Sequence, residues 1–162
     1  MQTRYTNGAV CTSGHPITND TRSGELTPRC SMCGTLVITA CSHCSSPIRG
    51  RAIYHDDEGD YLTSEQLDPA SYCYSCGSPY PWTQQNLDAL DETLELLIEL
   101  DDEKKREVRQ AVRDVLVESP RSAPAVLRIK KIAKGMEALG RQIMVEFITK
   151  IAAESLKSQL RL

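Results

Sequence analysis

The chain has 162 residues, 40% hydrophobic, 25% charged and 5% aromatic, a composition that folds and is neither fibrous nor disordered. Lys and Arg number 19 and Asp and Glu 22, for a net charge of -3 that gives no global pull toward nucleic acid or anionic lipid. No apolar run approaches membrane-spanning length and none follows Arg4 at the start, so neither a membrane span nor a secretory signal is expected.

All seven cysteines, Cys11, Cys30, Cys33, Cys41, Cys44, Cys73 and Cys76, lie in the first 76 residues, and the rest of the chain has none. An odd count argues against a closed disulfide framework. Seven thiolates plus one histidine make eight ligands, enough for two tetrahedral zinc ions in a reducing, cytoplasmic setting. The pattern reads Cys11-x3-His15, fourteen residues, Cys30-x2-Cys33, seven residues, Cys41-x2-Cys44, twenty-eight residues, Cys73-x2-Cys76. Two cysteines at this spacing sit on one tight turn with both sulfurs toward a metal, and Gly34 and Gly77 directly after two of the pairs suit that turn. The β-branched stretch from Gly34 to Ala40 predicts a strand that holds Cys33 and Cys41 roughly 20 Å apart, too far for one ion. Sequential pairing then gives Cys11, His15, Cys30 and Cys33 to one zinc and Cys41, Cys44, Cys73 and Cys76 to the other. The interleaved arrangement of cross-brace folds is the alternative.

His43 lies inside a cysteine turn, where a side chain faces solvent, and His55 precedes the acidic run Asp56-Asp57-Glu58. Both read as structurally idle. A His55 general base beside Asp56 or Asp57 is the sharper reading, but no nucleophile is placed next to it by a known motif. The segments Ser45 to Arg51 and Tyr54 to Tyr61 read as loops that display Arg49, Arg51 and tyrosines. Most of Tyr54, Tyr61, Tyr72, Tyr74, Tyr80 and Trp82 are expected to fill a small core, with Trp82 wedged against the first helix.

Helix formers take over after Trp82. Thr83 is the expected N-cap of a helix that buries Leu87, Leu90, Leu94 and Leu97 and ends near Leu100. Asp101 or Asp102 caps a second, antiparallel helix with Val108, Ala111, Val112, Val115 and Leu116 on one face, stopped at Ser119-Pro120. A third helical stretch opens at Ser122 and runs to about Leu160. Its first apolar stripe holds Ile129, Ile132, Ala133, Met136, Leu139, Ile143 and Phe147, and a second, rotated stripe holds Met144, Val145, Ile148, Ile151, Ala152 and Leu156. One straight helix cannot face both stripes to one partner. Either the stretch breaks near Gly140 and completes a four-helix bundle within one chain, or Ile148, Ile151 and Leu156 meet a second copy in a homo-oligomer, a dimer being favoured. Charge also divides: residues 83–119 carry -6 and residues 121–162 carry +6, which predicts attraction between the hairpin and the last stretch.

The fold class expected is thus a small metal-stabilised zinc-ribbon domain of short β-strands and turns over residues 1–82, followed by an all-α helical bundle over residues 83–162. Cys11, Gly14-His15, Cys30-x2-Cys33-Gly34, Cys41-x2-Cys44, Pro47-Ile48-Arg49-Gly50 and Tyr72-Cys73-x2-Cys76-Gly77-x-Pro79-x-Pro81-Trp82-Thr83 together resemble a bacterial family, domain of unknown function 2321. The Ile-Arg-Gly and Pro-Trp elements add specificity, since zinc requires neither. The resemblance covers the whole chain and implies a bacterial double zinc ribbon with a helical tail, and it brings no activity with it.

For function, both predicted zinc sites can be filled by four protein ligands, whereas a catalytic zinc keeps one open position. No metalloprotease helix, phosphate loop or deaminase signature occurs. The expectation is therefore a non-enzymatic zinc-binding interaction module with a protein partner. The alternative is a nucleic-acid-binding ribbon using the basic face Lys130, Lys131, Lys134 and Arg141.

Overall fold

The computed structural model describes residues 2–23, 25–56, 59–62 and 68–160. The chain forms two compact units, Met1–Gln85 and Asn86–Leu162. Short strands and cysteine turns make up the first and helices the second, which is a zinc-ribbon region followed by a helical region.

In the first unit, β1 (Gln2–Asn7), β5 (Arg49–Asp56) and β6 (Gly59–Leu62) form one antiparallel sheet in the order β1-β5-β6. The second sheet is β3-β2-β4, built from β2 (Ala9–Cys11), β3 (Pro16–Thr18) and β4 (Val37–Ile38). The strand expected from Gly34 to Ala40 shrinks to β4. Leu36 and Ala40 at its ends are taken instead by bridges to Arg29 and Pro47, which close the cysteine turns on either side. The stretches read as loops around Arg49 and from Tyr54 to Tyr61 are largely strand, β5 and β6, while Asp57 and Glu58 of the acidic run lie outside the described residues.

The core of this unit is Val10, Cys41, Ile48, Cys73, Tyr80 and Trp82. Tyr80 and Trp82 stack with ring centroids 4.6 Å apart. Gly14 lies against Trp82, where a Cβ would meet the Trp82 Cβ at 3.0 Å. Trp82 Nε1 donates to the Ala70 carbonyl at 3.0 Å and Thr83 Oγ1 to the Ser71 carbonyl at 2.7 Å. The expectation that most of the aromatics fill the core holds only for Tyr80 and Trp82. Tyr5, Tyr61 and Tyr74 are exposed, because the clustered cysteines occupy the interior that large rings would otherwise take.

The helices are α1 (Pro81–Leu96), α2 (Asp102–Val115), α3 (Ser122–Lys134), α4 (Ala138–Ile151) and α5 (Glu154–Leu160). α1 starts at Pro81 and not after a Thr83 cap, since proline is pre-set for the first helical position and Thr83 spends its hydroxyl on Ser71. Asp101 caps α2 as expected, its Oδ1 accepting from the Lys104 N–H at 2.8 Å, with Asp102 and Glu103 in the first turn where the helix dipole favours acid. Ion pairs bind α2 to α1: Arg109 to Asp91 at 2.6 Å and Glu95 at 2.8 Å, and Lys105 to Glu95 at 3.1 Å.

The third helical stretch is three helices. It breaks first at Gly135–Glu137, not near Gly140, where Glu137 is extended and α4 restarts. Gly140 lies inside α4 because it is needed as a contact: a Cβ there would come 3.2 Å from Leu97 Cδ2 and would run into the Glu99 carboxylate. The break resets the helical phase. Met144 and Ile148 turn inward, and Leu139 and Ile143, expected on the buried stripe, are exposed. A second break at Ala152 lets the Ala153 N–H donate to the Val115 carbonyl at 2.9 Å, tying the start of α5 to the end of α2.

One core fills this unit, from Leu90 and Leu94 through Val108, Val112 and Ile129 to Met144, Ile148, Leu156 and Leu160. Ile148 and Leu156 are buried in it and Ile151 packs on it, so the surface expected to meet a second copy is spent inside the chain. The fold-back bundle is what forms. Among the described residues, no helix is long and apolar enough to cross a membrane.

Candidate metal centres

Three of the cysteine pairs fold into the same turn. The N–H of the first cysteine in each pair donates across the turn, Cys30 to Thr35 O, Cys41 to Ser46 O and Cys73 to Ser78 O, at 2.8 to 2.9 Å. The residue after the second cysteine closes it, with Gly34, Ser45 and Gly77 donating to the carbonyls of Cys30, Cys41 and Cys73. That closing position is left-handed in all three, at φ 73° for Gly34, 61° for Ser45 and 71° for Gly77. Serine carries a Cβ penalty there that the two glycines avoid. Matching bridges, Arg29 to Leu36, Ala40 to Pro47 and Tyr72 to Pro79, flank each turn. Cys11-x3-His15 uses a different turn, closed by Gly14 at φ 90° with its N–H on the Cys11 carbonyl at 2.9 Å.

These turns bring the eight side chains together as two sets, Cys11, His15, Cys30 and Cys33, and Cys41, Cys44, Cys73 and Cys76. The grouping is sequential, not interleaved. In the first set Cys11 Sγ lies 3.7 Å from Cys33 Sγ and 3.5 Å from His15 Nδ1, and Nδ1 lies 3.3 Å from Cys33 Sγ and 3.7 Å from Cys30 Sγ. In the second, Cys41 and Cys76 stand 3.8 Å apart and Cys44 and Cys73 stand 3.6 Å apart. Four sulfurs around a metal at about 2.3 Å are separated by about 3.8 Å in a tetrahedron, so the spacings fit an ion at each centre.

The surroundings favour thiolate. Thr35 bonds Cys33 through both hydroxyl and backbone, the hydroxyl at 3.2 Å, and pulls its thiol down to about 5. Ser46 does the same to Cys44, bringing it to about 6. Backbone N–H groups of Cys76 and Ser75 lower Cys73, whereas burial raises Cys30. His15 is raised by its contacts to the Cys33 and Cys11 sulfurs. Burial, with Cys73 beside it, pushes the Tyr80 phenol up and keeps it neutral. The hydroxyl two residues past the second cysteine, Thr35 or Ser46, escaped the sequence reading. The repeated Cys-x-x-Cys-Gly/Ser-Thr/Ser pattern, with Ser78 as its third instance, was the available signal.

The other candidates are dispersed. His43 is exposed on its turn and His55 lies on β5, opposite Asp60 of β6. Arg49 and Arg51 sit at the start of β5, not on a loop. Arg49 is exposed, its guanidinium carbon 4.5 Å from the Tyr5 ring centroid and 3.9 Å from that of Tyr74. Arg51 Nη2 donates to Asn19 Oδ1 at 3.0 Å. Lys130, Lys131 and Lys134 are on α3 and Arg141 on α4, so the break at Gly135–Glu137 divides the basic face expected on one helix.

No curated protein and no solved structure matches the chain. A family of proteins does, described as "Uncharacterized protein conserved in bacteria (DUF2321)", and the match runs over residues 4–160. With nearly its whole length matched and both Cys-His clusters assembled, the chain belongs to this bacterial family.

Proposed function

We propose that the chain is a zinc-binding interaction module whose two ions are structural staples, and that it is not an enzyme. The observation that carries this reading is the pair of closed four-donor clusters with near-tetrahedral spacing. Thiolate and imidazole donors in such a geometry are the chemistry that selects zinc, and four protein ligands leave no position for water or substrate. N–H groups on the sulfurs, His15 to Cys11 at 3.2 Å, His43 to Cys41 and Ser75 to Cys73 at 3.4 Å, are the outer contacts that hold such sites. A rigid, metal-held surface then presents side chains to a partner at little entropic cost. A dimer built on Ile148 and Leu156 is no part of the proposal, since both are buried.

The test is metal analysis of protein purified under reducing conditions, followed by cobalt substitution. Two zinc ions per chain and two cobalt spectra of tetrahedral intensity, one with three thiolates and one with four, are expected. One ion, or a cobalt spectrum that changes with added small anions and so reports an open position, would overturn the reading.

A further inference from the structure

Between the pairs Tyr5–Ala52 and Asn7–Arg49, β1 advances two residues while β5 advances three. A bulge of this kind re-aims the side chains that follow it. Here it puts Arg49 on the Tyr5 face of the sheet and leaves Arg51 on the other, where Arg51 Nη2 and Thr6 Oγ1 both bond Asn19. Gly50, inside the bulge, packs so closely on Asn19 and Thr6 that no Cβ fits. The Ile-Arg-Gly element, which zinc does not require, is thereby accounted for: Ile48 is buried in the core, Gly50 makes the bulge, and Arg49 is delivered between two rings.

Those rings come from different places. Tyr5 is on the edge strand β1 and Tyr74 lies within the Cys73–Cys76 turn. With both guanidinium faces covered, what Arg49 has to offer is its in-plane fork of N–H donors, which matches a planar carboxylate two bonds at a time. The fork stands at a cavity of about 340 Å³ lined by Thr3 to Asn7, Pro47, Ile48 and Tyr74, and Arg4 adds a second positive charge to that wall. Among the described residues β1 pairs only with β5, so its outer edge is available to an extended chain. Residues 1–82 hold five basic and eight acidic side chains, a balance that suits one carboxylate and opposes a polyanion.

We propose that Arg49, held between Tyr5 and Tyr74, binds a carboxylate presented by an extended peptide lying along β1. This rests on the zinc reading above, because Tyr74 is positioned by the second metal turn.

The experiment uses the full zinc-loaded chain and backbone amide NMR. The probes are acetyl-Val-Thr-Glu-Thr-Val-amide, its Gln counterpart, and the Gln peptide with a free C-terminal carboxylate. Saturable shifts of Thr3 to Asn7 and Tyr74 with the Glu peptide are expected, and binding at least about tenfold weaker with the capped Gln peptide. Recovery of binding by the free C-terminus would assign the carboxylate to a chain end, and failure to recover it would assign it to a side chain. Arg49→Lys should weaken the Glu peptide by about tenfold because lysine lacks the fork. Equal binding of the Glu and capped Gln peptides, absence of saturable shifts, or the same shifts from inorganic phosphate at equal concentration would overturn the proposal. Zinc counted on the same samples separates the two readings: two ions without peptide binding refutes this site alone, and missing zinc refutes the earlier one.

Discussion

Gly50 lies directly against Asn19: a Cβ on the glycine would stand 2.8 Å from the Asn19 carbonyl carbon and 2.6 Å from Thr6 Oγ1. Asn19 cannot withdraw freely, because its carbonyl also accepts from the Arg51 N–H at 3.2 Å. Gly50→Ala is therefore expected to destabilise the first unit by roughly 3 kcal/mol, seen as a lower melting temperature of zinc-loaded protein. Gly140→Ala is the comparison. There the nearest obstruction is the end of the Glu99 side chain, which can swing away, and alanine gains helix propensity, so the change should stay within about 1 kcal/mol. Equal effects from the two would mean that the Asn19 contact is not rigid.

Ser45 takes the left-handed position that Gly34 and Gly77 take in the sister turns. Ser45→Gly should stabilise the second metal turn by up to about 1 kcal/mol, and Gly34→Ala or Gly77→Ala should cost about as much. A Cβ on either glycine meets nothing within 4 Å, so the cost is conformational alone. Competition with a zinc chelator measures it, and Ser45→Gly protein giving up its metal more readily than the parent would contradict the account.

Removing the metal should separate the two units. The core of the first contains Cys41 and Cys73 themselves, whereas that of the second is aliphatic and has no cysteine. Structural zinc contributes on the order of 10 kcal/mol to such small domains, so a chelator should unfold residues 1–82 and leave the helical circular dichroism largely in place. Cys76→Ser should do the same to the second centre. Loss of the helical signal in step with zinc would show that the second unit cannot stand without the first.

The ligand set was legible because metal coordination fixes residue type and local spacing together. The two amphipathic helices were legible for a similar reason, since Leu90, Leu94 and Leu97, and Val108, Val112 and Val115, recur at helical intervals. Periodicity gives the phase of a helix but not where it stops. Gly135 and Gly140 were equal candidates for the break, and what separates them is the approach of Leu97 and Glu99 to Gly140, a contact some forty residues distant in sequence. The Arg49 site was hidden for the same reason, as it depends on a bulge and on a tyrosine from another turn.

That break decides which helical positions tolerate charge. Ile148 is fully buried, so Ile148→Ala should cost about 2 to 5 kcal/mol and Ile148→Asp should unfold the helical unit. Leu139→Asp and Ile143→Asp should be nearly silent, within about 0.5 kcal/mol, as both side chains face solvent. Thermal unfolding of the four variants checks this, and a folded, stable Ile148→Asp protein would return the residue to the surface.

The ion pairs between α1 and α2 give the helical unit an acid limit. Lys105 and Arg109 bond Glu95 and hold its carboxyl below the ordinary value of 4.5, and the Lys104 N–H and ammonium do the same for Asp101 at the α2 cap. A carboxyl lowered in the folded state stabilises it above the unfolded-state value, and the contribution fades as pH falls through the lower, folded one. Helical stability should therefore be level near neutrality and decline below about pH 4.5, with a shallower decline in Glu95→Gln, which has no proton to gain. Melting temperatures of the zinc-free protein, followed by helical circular dichroism from pH 7 to pH 3, isolate this from metal loss. An identical slope in the parent and in Glu95→Gln would place the acid sensitivity on other carboxylates.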